Sequence, residues 1–61
     1  MSPSPDEIKK LRNEFNMTQT ELANILHVSL RTVQYWEQGL IKMPESQWEL
    51  AFLKIKILGK F

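Results

Sequence analysis

The chain has 61 residues, near the lower limit at which one hydrophobic core sustains a fold, so it reads as a single domain over 1–61. It contains no cysteine, which excludes disulfide staples and thiolate metal sites. A formal net charge of only +1 excludes a broadly basic surface, so a polyanionic partner must be met by positive charge gathered on one face.

No apolar run approaches the ~18 residues of a membrane span, and no signal-peptide pattern opens the sequence, so no membrane contact and a cytoplasmic location are expected. Met1 to Pro3 reads as a short disordered lead. Ser4-Pro5-Asp6-Glu7 then has the form of a helix start, with Ser4 as N-cap, Pro5 in the first helical position and Glu7 closing a capping box. Ile8, Leu11 and Phe15 recur at helical spacing, and Asn16 suits a left-handed stop, which gives a first helix over about 5–15.

A second capping box follows at Thr18-Gln19-Thr20-Glu21. It opens a short helix over about 18–26 whose buried side is Leu22, Ala23 and Leu26. Ser29 caps a third helix over about 29–38, with Val33 and Trp36 as core positions and Gly39 as its stop. Only His27 and Val28 separate the second and third helices. So short a link forces a steep crossing, the helix-turn-helix arrangement.

The third helix turns Leu30, Arg31, Gln34 and Tyr35 to one side. A helix fits the major groove, where arginine can donate two bonds to guanine and glutamine can bond bidentately to adenine. Leucine can press on a thymine methyl, and the tyrosine can contact a phosphate, base or sugar. An exposed leucine and tyrosine beside an arginine are a poor choice for a merely solvated face. Gln19, Gln38 and Lys42 flank this helix and suit contacts to the phosphate backbone, which position without reading sequence. Thr32 suits phosphate contact and helix-start hydrogen bonding equally.

At Thr18-Gln19-Thr20-Glu21-Leu22-Ala23, Val28-Ser29 and Thr32-Val33-Gln34-Tyr35-Trp36-Glu37-Gln38-Gly39 the sequence resembles the lambda-repressor/Cro-like (XRE-type) helix-turn-helix family, over roughly residues 5 to 45. The resemblance implies a bacterial or phage transcriptional regulator that binds a palindromic double-stranded DNA operator as a dimer. It implies base-facing roles for Leu30, Arg31, Gln34 and Tyr35, and backbone contacts for Gln19, Gln38 and Lys42. Arg12 and Glu37 match a pair that often bridges the first and third helices as a partly buried ion pair. There are departures. His27 stands where glycine is common, Leu30 replaces a polar residue, and one longer last helix is expected in place of two.

That last helix is expected over about 44–58, with Pro44 in its first turn and Gly59 as its stop. At about 100° per residue, Trp48, Ala51, Phe52, Ile55 and Leu58 line one face, and Leu50, Leu53 and Ile57 nearly the opposite one. The first stripe can cover the core. The second points to a homodimer interface, unless the N-terminal lead or Phe61 covers it. The fold class expected is therefore all-α, a compact four-helix domain with a helix-turn-helix. The function expected is a dimeric repressor reading a palindromic operator through the third helix. The alternative is an antitoxin-like or adaptor module that binds another protein through the fourth. No paired carboxylates, nucleophile–base set or glycine-rich phosphate loop support an enzyme, and neither cofactor, metal nor small-molecule substrate is expected. His27 has no cysteine or second histidine with which to share a metal.

Overall fold

The first hydrogen bonds of each helix are set by a residue or two of local sequence. In the computed structural model, which describes residues 2–58 and of Leu58 only the backbone, α1 runs from Pro5 to Glu14. Ser4 Oγ accepts from the Glu7 amide at 3.2 Å, and Glu7 Oε1 accepts from the Ser4 amide at 2.7 Å. Two of the amides a helix start leaves unbonded are thus satisfied reciprocally. The helix α2, Gln19–Leu26, begins the same way, with Thr18 and Glu21 bonded at 3.1 and 2.8 Å. The helix α3, Leu30–Gln38, is capped by Ser29, whose Oγ accepts from the Thr32 amide at 3.1 Å.

The helix ends are equally local. Among the described residues, Asn16 and His27 are the two non-glycine residues with positive φ, at 55° and 58°, and Gly39 has φ 79°. Each reverses the chain so that a following amide bonds back into the last turn: Met17 to the Arg12 carbonyl at 2.9 Å, Val28 to Ala23 at 3.0 Å, Leu40 to Tyr35 at 3.0 Å. This is the usual left-handed way of ending a helix. The helix α4 spans Glu45–Leu58. It starts one residue later than the sequence suggested, and the Pro44 carbonyl accepts from the amides of Gln47 and Trp48 at 3.0 and 3.1 Å. The expected stop at Gly59, the cover by Phe61, the Met1 end of the lead and the packing of the Leu58 side chain lie outside the described residues.

The four helices form an all-α bundle in which α3 packs on α1 and α2, and α4 packs on α2. The core is Ile8 and Leu11 from α1, Leu22, Ala23 and Leu26 from α2, Val33 and Trp36 from α3, and Ala51 and Ile55 from α4. Met17 and Met43, both outside helices, are buried with them. No described helix is long and apolar enough to cross a membrane.

On α4 the two apolar stripes are rolled relative to expectation. Phe52, assigned to the core side, is 44% exposed, while Leu50, assigned to the outer side, is half-buried against the core. The small Ala51 and the adjacent turn residue Ile55 centre the contact, so flanking residues on either side share partial burial and Phe52 falls beyond its edge. There its ring meets Trp48 edge-on, with centroids 4.8 Å apart and planes at 79°. Leu53 and Ile57 stay 58% and 81% exposed.

A left-handed L-residue is strained by about 1–2 kcal/mol. The His27 side chain is exposed, so little packing is lost on its removal. His27→Gly is expected to stabilise the fold by about 0.5–1 kcal/mol, net of the greater freedom of unfolded glycine, and to raise Tm by roughly 3–6 °C. Gly39→Ala is expected to do the reverse: its Cβ would meet Pro5 Cγ at an ordinary 3.5 Å, so only the backbone cost of about 1 kcal/mol is felt. Thermal unfolding of both variants checks the pair.

Candidate nucleic-acid interface

The third helix has two chemically distinct sides. Val33, Trp36 and Glu37 are buried, and each lies one helical turn from the next or beside it. The remaining residues fan out over the other side: Leu30, Arg31 and Gln38 are exposed, Gln34 and Tyr35 are half-buried, and Thr32 sits at the flank, also half-buried. Leu30, Gln34 and Gln38 form one i, i+4 row, with Arg31 and Tyr35 in the next. The four residues proposed from sequence to face bases are therefore neighbours on one outer surface.

What holds that surface outward is a buried polar knot. Glu37, the one acidic residue of α3, has a side chain only 2% exposed. Arg12 of α1, 18% exposed, grips it with both arms of the guanidinium, Nε donating to Oε2 at 2.8 Å and Nη2 to Oε1 at 3.1 Å. Its third nitrogen, Nη1, donates to the Met17 carbonyl in the α1–α2 turn at 3.0 Å. Gln19 of α2 donates from Nε2 to Glu37 Oε1 at 3.1 Å. Side chains of α1 and α2 thus converge on a single α3 carboxylate, and the turn between them holds the arginine in place. A planar fork against a carboxylate is the strongest common form of charge-assisted bond.

The knot also fixes the electrostatics of the outer side. With Glu37 turned inward and paired, Arg31 is the only formal charge α3 presents to solvent. Lys42 lies exposed in the loop beyond the helix. Gln19 is half-buried by its bond to Glu37. A carboxylate can accept only from the amide nitrogen, so that end of Gln19 is fixed inward with one of its two hydrogens used. One hydrogen of that nitrogen is left to donate, and Gln19 opens α2, whose N-terminal end favours an anion. Thr32 Oγ1 lies 2.8 Å from Ser29 Oγ, so its hydroxyl is engaged in the helix start.

The sequence gives no sign of two anchors that matter here. One is the Met17 carbonyl that orients Arg12. The other is Lys54, whose Nζ donates to the Ile25 carbonyl at 2.8 Å and ties α4 to the last turn of α2. Both join residues by geometry that no spacing rule encodes. Among the described residues, no group of three or more histidine, cysteine, aspartate or glutamate side chains is arranged to hold a metal.

A family model described as helix-turn-helix matches residues 8–47, which takes in most of α1, all of α2 and α3, and the start of α4. A stretch of 36 residues, 59% of the chain, is 53% identical to antitoxin HigA-2 of Vibrio cholerae serotype O1 (strain ATCC 39315 / El Tor Inaba N16961). The matched stretch makes up 35% of that protein, so the chain spans well under two thirds of this relative.

Removing one partner of a buried ion pair leaves the other charge desolvated without compensation, at a cost of about 3–5 kcal/mol. Partial exposure of Arg12 moves the expectation to the lower end, so Glu37→Ala is expected to destabilise by ~3 kcal/mol. Arg12→Ala, which strands the more deeply buried Glu37, is expected to cost at least as much, and the double variant less than the sum. Chemical denaturation of the four members of this cycle measures the coupling; additive losses would show that the two groups act independently.

Proposed function

The chain belongs to the lambda-repressor/Cro-like (XRE-type) helix-turn-helix family and is a DNA-binding regulator, and from this premise we propose that it is a dimeric repressor that recognises a palindromic operator by placing α3 in the major groove. The observation that carries the reading is the two-sidedness of α3. Its inner residues are locked to α1 and α2, and its outer residues offer Arg31, Gln34, Leu30 and Tyr35 together. Arg31 suits a bidentate contact to guanine and Gln34 one to adenine, while Leu30 and Tyr35 supply apolar and hydroxyl contacts. Gln19, through its remaining amide hydrogen, and Gln38 and Lys42 beyond the reading helix are assigned to phosphates on either side of the groove. Thr32 adds a phosphate contact only if its hydroxyl leaves Ser29.

Size supports a pair. One subunit measures 30 × 22 × 19 Å, whereas half-sites one helical turn apart are separated by about 34 Å. A single copy reads one half-site, and a two-fold partner reads the other. Pairing also doubles the phosphate contacts, which offsets the low net charge of each chain. Leu50, Leu53 and Ile57 are the residues assigned to the subunit contact.

A second reading takes its support from the match to a protein named as an antitoxin. In that reading the exposed side of α4 holds a different protein, and DNA binding is one of two tasks. It predicts that the chain's association state changes with a heterologous partner rather than with its own concentration.

The first reading is tested by Arg31→Ala and Lys42→Ala, assayed on operator and random duplexes over a salt series. Arg31→Ala is expected to cost about 1–3 kcal/mol on operator and to relax preference at one base pair. Lys42→Ala is expected to weaken every sequence alike and to reduce the salt slope by about 1. Equal losses from both variants on all sequences would remove the division into readers and clamps.

A further inference from the structure

Among the described residues, the outer side of α4 is apolar and exposed. Leu53 and Ile57 are 58% and 81% exposed, and Leu50 is half-buried at the margin. Their spacing of three and four is that of the seam positions in a two-helix contact. Glu49 and Lys56 are both exposed and lie seven residues apart, which places them on one flank of the seam. They stand four residues before and three after Leu53, almost equidistant from it. Lys54 occupies the other flank, half-buried, with its ammonium bonded to the Ile25 carbonyl.

We propose that this face pairs with the same face of a second copy, α4 lying antiparallel to its mate, with Glu49 of each subunit beside Lys56 of the other. The proposal rests on the dimeric reading above and adds the orientation. A two-fold axis across the seam keeps each flank next to the same flank of the partner copy. With the axis passing near Leu53, the order of residues is reversed, and the Glu49–Lys56 flank becomes self-complementary at two symmetric places. On the opposite flank the same operation brings Lys54 towards Lys54, a repulsion that is relieved because each ammonium is drawn back to its own α2. A parallel pair would instead set the Glu49–Lys56 flank against the Lys54 flank. That arrangement places Lys56 near a like charge and asks Glu49 to recruit an ammonium already engaged at 2.8 Å. Charge complementarity therefore favours the antiparallel arrangement, since flanking charges set helix orientation where the apolar seam does not.

The native chain has no cysteine, so single thiols can be introduced cleanly. Glu49→Cys and Lys56→Cys proteins, mixed under mild oxidation, are expected to form the 49–56 disulfide in preference to 49–49 or 56–56. In sedimentation equilibrium at low salt, Glu49→Lys alone and Lys56→Glu alone are each expected to weaken self-association roughly tenfold, and the double reversal to restore it. Both positions are exposed, so the variants keep the fold. Leu53→Asp serves as the control that removes the seam. Loss of association with Leu53→Asp but none with either charge reversal would keep the dimer and overturn the antiparallel orientation. A wild-type chain that stays monomeric at millimolar concentration, with no cross-link, would overturn the dimer and the orientation together.

Discussion

A carboxylate 2% exposed to solvent cannot be left alone in a small protein, and the arrangement of Glu37 organises much else in this chain. Desolvating an ionised group costs several kcal/mol, offset only by close, well-aligned donors. Here the donors come from Arg12 of α1 and Gln19 of α2, and the Met17 carbonyl in the turn between them accepts from Arg12, so the bonds that satisfy Glu37 also fix how α3 lies on its neighbours. An apolar residue in its place could pack as well or better. It would not demand that Arg12, Met17 and Gln19 take particular positions. The bonds to Glu37 thereby set the orientation of α3, which its proposed role in reading DNA requires.

The same arrangement bears on a chain of charge +1 as a partner of a polyanion. Binding depends on where charges lie and how many are presented at the contact, not on their sum. Burying the one acid of α3 against Arg12 removes a repulsive group from the outer side and leaves Arg31 there. The cost is one cation withdrawn from solvent. Because Arg12 lies in α1 on the inner side, the exchange leaves the outer side of α3 more positive than the composition suggests.

Much of this fold was legible in the sequence because its punctuation is local. Ser4–Glu7, Thr18–Glu21 and Ser29–Thr32 bond within three residues, and Asn16, His27 and Gly39 stop helices by their own backbone conformation. Such features need no knowledge of the rest of the chain. Val33 and Trp36 on the inner face of α3 were legible as core positions, and Glu37 with its link to Arg12 from the resemblance, though not the completion of that link by Gln19 and the Met17 carbonyl. Met17 and Met43 were missed as core residues since turns carry no periodicity to mark a buried side. On α4 the stripes were found, but their roll was not: apolar residues surround that helix, and which side turns inward depends on where α2 presents its groove and on Lys54 reaching the Ile25 carbonyl. The assignments to bases and phosphates were likewise readable as an outer surface, while what that surface touches is a matter of a second molecule.

Helix α4 also links folding to association. Through Ala51 and Ile55 it closes a small core, eleven buried apolar side chains among the described residues, and through Leu53 and Ile57 it leaves apolar surface in water. In the proposed pair these two roles reinforce one another: a partner that binds only folded subunits stabilises them in proportion to its occupancy. The contact is short, since α4 has 14 residues and its outer seam three apolar ones. Such a seam falls below the ~1,600 Å² of a standard stable interface, so the pair is weak when free. In the proposed function, duplex DNA with two half-sites acts as the template, raising the effective concentration of one subunit beside the other. Palindrome recognition and subunit pairing become one equilibrium, in which losing either the Leu53 seam or the reading surface of α3 weakens both.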